Sequence, residues 1–201
     1  MAAGPHDLHT PFETHGPGHV HALLERLRLM ALMNRFPPRV VWSAYVLLNG
    51  FIAIALLSVV AMFTNSPFVF PSLGPTAYLY FFSPLARASS PRHALLGHAI
   101  AILCGYASLL VMGMALPHGL AHGITWQTGI AAALSLGFTG AFMVFFRVSH
   151  PPAGATTLIV SLGLISGPAD LLILESAVLV LTIQALAINR LAGLPYPVWE
   201  S

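Results

Sequence analysis

The sequence contains no lysine and very little charge of either sign. Of its 201 residues, 7% are charged and 57% are hydrophobic, whereas a soluble domain carries roughly 25% charged residues. So little charge cannot cover a surface that faces water, so lipid must cover much of this chain. The basic residues are eight scattered arginines, too few for the basic surface of a nucleic-acid-binding protein.

The chain has one cysteine and no visible signal peptide. Cys104 lies in an apolar run, where a lone cysteine behaves as a small buried side chain. The first forty residues are polar and rich in His and Pro, so we expect the first membrane segment to act as its own insertion signal. We find no paired carboxylates, no nucleophile elbow and no intramembrane His cluster, which indicates a protein that is not an enzyme.

The ends of the chain differ in composition from its middle. Residues 1–21 read as a disordered, His-rich tail, and the irregular His spacing predicts neither a specific metal site nor a cofactor. Residues 22–38 are typical of an amphipathic helix at the membrane interface. Residues 39–192 are predicted to form the transmembrane domain. Residues 193–201 form a short tail with aromatic residues that suit an interface.

Six apolar runs fill the transmembrane domain. Four are long enough to cross a bilayer as helices, which takes about 20 residues, and two are shorter and broken by Pro and Gly. Small residues recur at every fourth position in the third run and in the fourth run, so we expect these two helices to pack closely on each other or on a second copy in a homo-oligomer. The runs are 40–63, 68–82, 94–116, 127–146, 150–166 and 171–188.

The two short runs share the pattern Pro-x-x-Gly-x-Thr. It occurs at residues 71–76 and again at 151–156, an offset of 80 residues. Chance is the rival explanation, because only three positions match. A breaker motif repeated in apolar sequence favours two interrupted membrane segments in two related halves, residues 40–116 and 126–190.

The arginines favour six crossings over four. With the N-terminus inside and all six runs crossing, eight of eight arginines lie inside, as the positive-inside rule prefers. With only the four long runs crossing, five of eight lie inside. Six crossings put three in each half, so the fold class predicted is an all-α polytopic membrane protein with an inverted 3+3 repeat. Both termini are then cytoplasmic, in what we expect to be a bacterial inner membrane.

The second motif copy has the features of an anion site at the start of a helix. Pro151 and Pro152 suit a first helical turn, so the N–H groups from Ala153 onward are expected to be free to bind an anion. Gly154 would leave room for the ligand, and His150 would add a donor. Thr156 continues the turn and, from the first copy, the candidate ligands are Ser72, Gly74 and Thr76.

Three further residues are candidates for gating or coupling. His98 and Glu175 are ionisable residues inside apolar runs, where such groups usually have a function, although each can instead snorkel or satisfy a neighbour. Arg147 stands three residues before His150, and an interfacial topology residue is the simpler interpretation. For His150 the plain alternative is a local helix cap.

The stretch Ser149-His150-Pro151-Pro152-Ala153-Gly154-Ala155-Thr156 resembles the His-Pro-Pro signature of the HPP family of integral membrane proteins. Residues 71–74, 83–86 and 92–98 also match the family's pattern, and the resemblance covers about residues 40–190. The family is described as four-helix membrane proteins with transport functions. Plant and cyanobacterial relatives are implicated in nitrite transport, and some members carry CBS domains, which are not found here.

Together these observations predict membrane transport of a small monovalent anion through a site formed by the two broken helices. The anion site comes from the residues, whereas nitrite comes only from the resemblance. The alternative is a membrane sensor or assembly module that transports nothing, suggested by the His-rich tail and the small-residue helix faces. The expected partners are the anion and the lipid bilayer, with no nucleic acid.

Overall fold

The fold is a bundle of α-helices. The computed structural model describes residues 28–113, 123–165 and 167–199, and within these ranges the chain forms seven α-helices and no β-strand. The predicted tail 1–21 lies outside the described residues, as does the part of segment 22–38 before residue 28. The helices are α1 Leu29–Met33, α2 Pro38–Thr64, α3 Leu73–Phe82, α4 Pro91–Val111, α5 Trp126–Phe145, α6 Ala153–Ser161 and α7 Pro168–Leu191.

Four of these helices are long and apolar enough to cross a membrane, namely α2, α4, α5 and α7. Helices α2, α4 and α7 begin with a proline in the first turn, where its missing N–H would have had no intrahelical partner. Helix α5 begins with a capping box between Thr125 and Thr128. The four long predicted segments are thus confirmed as helices, with bounds that differ by a few residues.

The two short predicted segments are only partly helical. Helix α3 has ten residues and α6 has nine, so they rise about 15 Å and about 14 Å, roughly half of a hydrocarbon core of about 30 Å. Each begins at the third residue of its motif copy, at Leu73 and Ala153. The order long–short–long therefore occurs twice along the chain, first in α2–α3–α4 and then in α5–α6–α7.

Helix α4 lies at the centre of the bundle and packs against α5, α6 and α7. Two of its small residues set the distance to α6. A Cβ atom on Gly97 would come within 2.8 Å of the His150 Cβ, and one on Gly105 within 2.8 Å of both the Thr157 carbonyl oxygen and the Val160 Cβ. These glycines let α6, and His150 just before it, approach the α4 backbone closely.

The small residues of α5 have no such role within one chain. A Cβ atom on Gly129 or Gly137 would meet no atom within 4 Å, and this face of α5 is exposed. The predicted packing of the third and fourth segments on each other is therefore found, since α4 packs against α5, but the glycines of α5 take no part in it, and the glycines of α4 lie against His150 and α6.

Polar side chains buried between the helices are paired across them. Tyr45 on α2 donates a hydrogen bond of 2.6 Å to the Asn189 side chain on α7. The Tyr80 hydroxyl on α3 lies 2.6 Å from that of Thr182 on α7. Helices α5 and α6 are joined through Ser135 with Ser161 and Thr139 with Thr157, at 2.9 Å and 3.0 Å. Such pairing is expected because lipid offers no alternative partner.

Both ends of the described chain pack on the bundle. Helix α1 is shorter than the predicted amphipathic segment, and its buried Leu29 donates its backbone N–H to the Ala192 carbonyl at the end of α7. In the tail, Tyr196 is fully buried and its hydroxyl donates to the Ser89 carbonyl, whereas Trp199 is exposed. Of these tail aromatics, only Trp199 has the exposure that an interface position requires. Burial raises the pKa of Tyr196, which keeps its hydroxyl protonated as a donor.

Candidate functional site

Four buried polar side chains meet where the two motif copies approach each other. The Thr76 hydroxyl on α3 lies 3.0 Å from Nε2 of His98, and the Thr156 hydroxyl on α6 lies 2.7 Å from Nδ1 of the same ring. The Thr76 hydroxyl also lies 3.2 Å from Nε2 of His150. All four side chains are fully buried. We call these residues, Thr76, His98, His150 and Thr156, the His–Thr cluster.

The two motif copies contribute the same residue to this arrangement, the threonine at their last position. Thr76 and Thr156 are the last residues of the two Pro-x-x-Gly-x-Thr stretches, and each lies one turn into a short helix that starts at the same motif position. One threonine bonds to each ring nitrogen of His98. His98 therefore joins the two halves of the chain at corresponding points.

The loop between α3 and α4 completes the cluster. Nδ1 of His150 lies 2.7 Å from the carbonyl oxygen of Ala88. A carbonyl oxygen can only accept, so the hydrogen of this bond is on Nδ1, and in the neutral ring Nε2 is then an acceptor. The loop is itself held by the Ser89 hydroxyl, which donates to the Ser83 carbonyl at 2.6 Å and lies 3.0 Å from the Leu79 carbonyl. The His150 ring is thus fixed in one orientation.

Two buried hydroxyls beside this arrangement have no hydrogen-bond partner among the residues that the structure describes. The Ser72 hydroxyl is fully buried and unpartnered, one turn before Thr76, and the Ser72 carbonyl accepts from Thr76 at 3.1 Å. The Ser90 hydroxyl, two residues after Ala88, is also fully buried and unpartnered. Buried polar atoms are nearly always hydrogen-bonded, so these two are donors open to a ligand or to water.

The helix N-terminus of the second motif copy differs from the prediction. The N–H groups of Ala153, Gly154 and Ala155 donate to the carbonyls of residues 150, 151 and 152 at 2.9 to 3.0 Å. They close a tight first turn and are not free for an anion. Because the turn itself satisfies the amides, side-chain groups are the donors that remain at this site.

The motif glycines do not face the cluster. Gly74 is exposed, with no atom within 4 Å of a Cβ built on it, and a Cβ on Gly154 would meet only Leu136 of α5, at 3.5 Å. A side chain at Gly154 would point toward α5, so the room expected there for a ligand does not open onto the His–Thr cluster and stays a prediction. Pro152 and Ala153 are buried and Pro151 is exposed; these residues shape the turn.

Arg147 and Glu175 lie outside the His–Thr cluster. Arg147 is exposed and has a φ of 54°, just after α5, and the Val148 N–H bonds back to the Met143 carbonyl. Arg147 thus occupies the left-handed position that ends a helix, where glycine is usual. Glu175 is on α7, with one buried carboxylate oxygen that has no partner.

All four residues of the His–Thr cluster were candidates from the sequence, but their proximity and the contributions of Ala88 and Ser90 were missed. The two histidines lie with ring centroids 5.0 Å apart, although no intramembrane His cluster was expected. The Ala88 carbonyl carries no sequence signal, because it acts through its backbone. A signal did exist for the pairs at Thr182 and Asn189, since both follow Glu175 at intervals of seven residues and share one face of α7.

An apolar cavity of about 520 Å³ lies between α4 and α5. No residue of either motif copy lines it, so it does not belong to the His–Thr cluster. Its lining residues are Ile100, Leu103, Cys104, Ala107, Ser108, Val111, Leu134, Phe138, Phe142 and Phe146.

Comparison with known proteins agrees with the resemblance in the signature stretch. A transmembrane protein of Dictyostelium discoideum is 31% identical over 119 residues, which cover 59% of this chain and 35% of that protein. The chain thus matches about a third of the length of this relative. No solved structure matches. The family model described as "HPP, transmembrane region" matches residues 35–197, which is most of the sequence, and the chain belongs to the HPP family of transmembrane proteins.

Proposed function

We propose that this protein transports a small monovalent anion, with nitrite as the leading candidate, through a site at the His–Thr cluster. The observation that carries the proposal is the convergence of both motif copies on His98. One threonine hydroxyl from each half binds one ring nitrogen of this residue, inside a bundle whose surface is apolar. Two related broken helices that meet around one polar centre are the arrangement of many transporter binding sites.

The cost of placing these groups in a membrane protein supports a functional role. Burying imidazole and hydroxyl groups costs free energy that apolar side chains of similar size would avoid. Ser72 and Ser90 add buried donors with no partner, which no packing requirement explains. Neutral donors in a tight space suit a small anion of single charge, because the desolvation cost of a multivalent anion would require several cations.

The same proposal includes six membrane segments as an inverted 3+3 repeat, with both termini in the cytoplasm of a bacterial cell. The order long–short–long, which occurs twice along the chain, supports this part of the proposal. Helix α3 needs the non-helical residues 65–72 before it to span the membrane. Residues 67–70, which lie between two turns, could add about 13 Å at about 3.3 Å per extended residue. Non-helical backbone at this depth is tolerated where protein buries it or where water reaches it.

His98 is assigned here as the residue that couples the two halves. Arg147 is placed at the cytoplasmic mouth as a topology residue and not as a ligand, since it is exposed after α5. Glu175 stays a candidate for coupling, on the ground that one of its carboxylate oxygens is buried with no partner among the described residues, and no catalytic role is proposed for any residue.

Nitrite uptake into proteoliposomes tests the site. Thr76→Val and Thr156→Val each remove one hydroxyl from His98 while they keep side-chain shape. Losing one hydrogen bond of about 1.4 kcal/mol in the binding step corresponds to about tenfold slower uptake at low nitrite. Thr64→Val is the matched control, because its hydroxyl is exposed and bonds only within α2.

Two results would count against the proposal. Equal uptake by all three variants would remove the His–Thr cluster from the transport path. Absence of saturable uptake by the wild-type protein, at matched protein amounts and with chloride and nitrate as competitors, would favour the non-transporting sensor or assembly module.

A further inference from the structure

The hydrogen bonds of the His–Thr cluster need one more hydrogen than its neutral side chains hold. Five bonds connect it: His150 to the Ala88 carbonyl, His150 to Thr76, Thr76 to the Ser72 carbonyl, Thr76 to His98, and His98 to Thr156. Each bond needs one hydrogen. Two neutral imidazoles and two hydroxyls supply one hydrogen each, which makes four.

The shortage falls on the Thr76 hydroxyl. With His150 neutral, its hydrogen is on Nδ1 toward Ala88, so Nε2 must accept from Thr76. The Thr76 hydroxyl also donates to the Ser72 carbonyl at 3.1 Å. One hydroxyl group has only one hydrogen, so it cannot make both bonds. One of these two bonds therefore goes unmade in the neutral cluster, at a depth where an unmade bond is costly.

A proton on His150 completes the set. His150 then donates from Nδ1 to Ala88 and from Nε2 to Thr76, while the Thr76 hydroxyl turns to donate to the Ser72 carbonyl. Thr76 still accepts from Nε2 of His98 through its second lone pair, and Thr156 donates to Nδ1 of His98. If His98 were protonated instead, Nε2 of His150 and the Ser72 carbonyl would still compete for the single hydrogen of the Thr76 hydroxyl. The bonding pattern thus assigns the extra proton to His150.

The charge of this proton has no counter-charge in the cluster. The groups that face the His150 ring are Thr76, His98, the Ala88 carbonyl, Tyr80 with ring centroids 6.5 Å away, and His93 of α4. None of these is anionic at neutral pH. A buried imidazolium among neutral groups is unfavourable, so a bound anion is what would stabilise it.

We propose that one proton binds at Nε2 of His150 together with each anion, so that the protein is an electroneutral proton–anion symporter. This inference rests on the proposed anion transport and adds its second substrate. In the binding step an N–H bond forms at Nε2 with a proton taken from water on one side, and the same bond breaks when the proton leaves to water on the other side. No oxidant or reductant is required.

The test measures proton and nitrite entry together. Proteoliposomes containing the full chain are loaded with a trapped pH-sensitive dye and given an inward nitrite gradient. Protein-free liposomes report passive entry of nitrous acid, which is subtracted. We expect one proton per nitrite, an uptake rate that does not respond to an imposed potassium-diffusion potential, and faster uptake as the outer pH falls. His150→Asn keeps a donor for Ala88 but cannot hold the proton, so it should abolish coupled proton entry.

A spectroscopic measurement on the wild-type protein needs no substitution. In ¹⁵N-histidine NMR, saturating nitrite should convert one ring from the neutral to the doubly protonated pattern, and His150→Asn should remove that signal. Thr64→Val, which removes an exposed hydroxyl that bonds only within α2, should behave as wild type. Nitrite uptake that is driven by membrane potential without proton entry would overturn the symport and leave the proposed transport intact. Absence of nitrite uptake by the wild type would overturn both.

Discussion

Replacing Gly105 by Ala tests the packing that brings α6 to the site. In the structure, a Cβ atom at this position would lie 2.8 Å from the Thr157 carbonyl oxygen and 2.8 Å from the Val160 Cβ. Both distances are well below van der Waals contact, and neither atom is the end of a flexible side chain. Helix α6 must therefore move away from α4 to admit even one methyl group.

The expected cost follows from measured effects of overpacking. Adding a methylene to a well-packed core typically costs about 1–3 kcal/mol. For a chain of this size each kcal/mol lowers Tm by about 2–4 °C, so Gly105→Ala should lower Tm by about 2–12 °C. Nitrite uptake should fall as well, because moving α6 displaces Thr156 from His98.

Gly137→Ala is the matched control, since Gly137 lies in the middle of α5 and has no atom within 4 Å of the added Cβ. Alanine is the better helix former, so this variant should melt at or above the wild-type temperature. Thermal unfolding of both purified variants in the same detergent provides the comparison. Equal Tm values for the two would refute the assignment of the α4–α6 contact as the tight one.

Two further predictions concern the core and the topology. Tyr45→Phe removes the donor of a 2.6 Å hydrogen bond to the buried side-chain oxygen of Asn189 on α7, and it should lower the free energy of unfolding by about 1–3 kcal/mol. Tyr78→Phe is the control, because Tyr78 is exposed and its change should cost little. Similar losses in both variants would contradict a stabilising role for the Tyr45–Asn189 bond. For topology, single cysteines are introduced at the exposed positions Ala86 and Ile124 in a cysteine-free background, and intact cells are treated with a thiol reagent that does not cross the membrane. The cysteine at position 86 should not be labelled, and the one at position 124 should be labelled. The reverse pattern would indicate four crossings.

The elements that local sequence encodes were predicted well. Long apolar runs with proline at their starts placed α2 and α7 to within three residues of their bounds, because helix entry and membrane length depend on nearby residues. The motif repeat correctly located both short helices. His98 was selected because an ionisable residue in an apolar run is expensive.

The pairings across the bundle could not be predicted in the same way. His98 bonds to partners 22 and 58 residues away, and no local pattern specifies such distances. The small residues of the third segment were expected to let another helix approach, and Gly97 and Gly105 do so. The sequence did not indicate that the approaching segment is His150 with α6, or that Gly154 faces α5. A glycine in an apolar helix has the same sequence signature in either case.

The backbone amides of the second motif copy show a related limit. The sequence predicted free N–H groups after Pro152, since an α-helix leaves its first amides unpaired. A tight first turn uses those of residues 153–155 instead. Whether a helix starts with such a turn depends on how the preceding chain enters, and here the entry is set by the bond from His150 to Ala88.

The most direct test of the central claim is nitrite uptake by a triple variant that makes the junction apolar: Thr76→Val, His98→Leu and Thr156→Val. The bonds of His98 to both threonines lose both partners, which has little effect on stability, and only Nε2 of His150 is left without its partner, at about 1–3 kcal/mol. This variant should therefore insert in the membrane and remain folded, with Tm lower by about 2–12 °C. We predict saturable nitrite uptake by the wild-type protein and none by the triple variant at matched protein amounts. Full uptake by a well-folded triple variant would contradict the assignment of transport to the junction of the two motif copies.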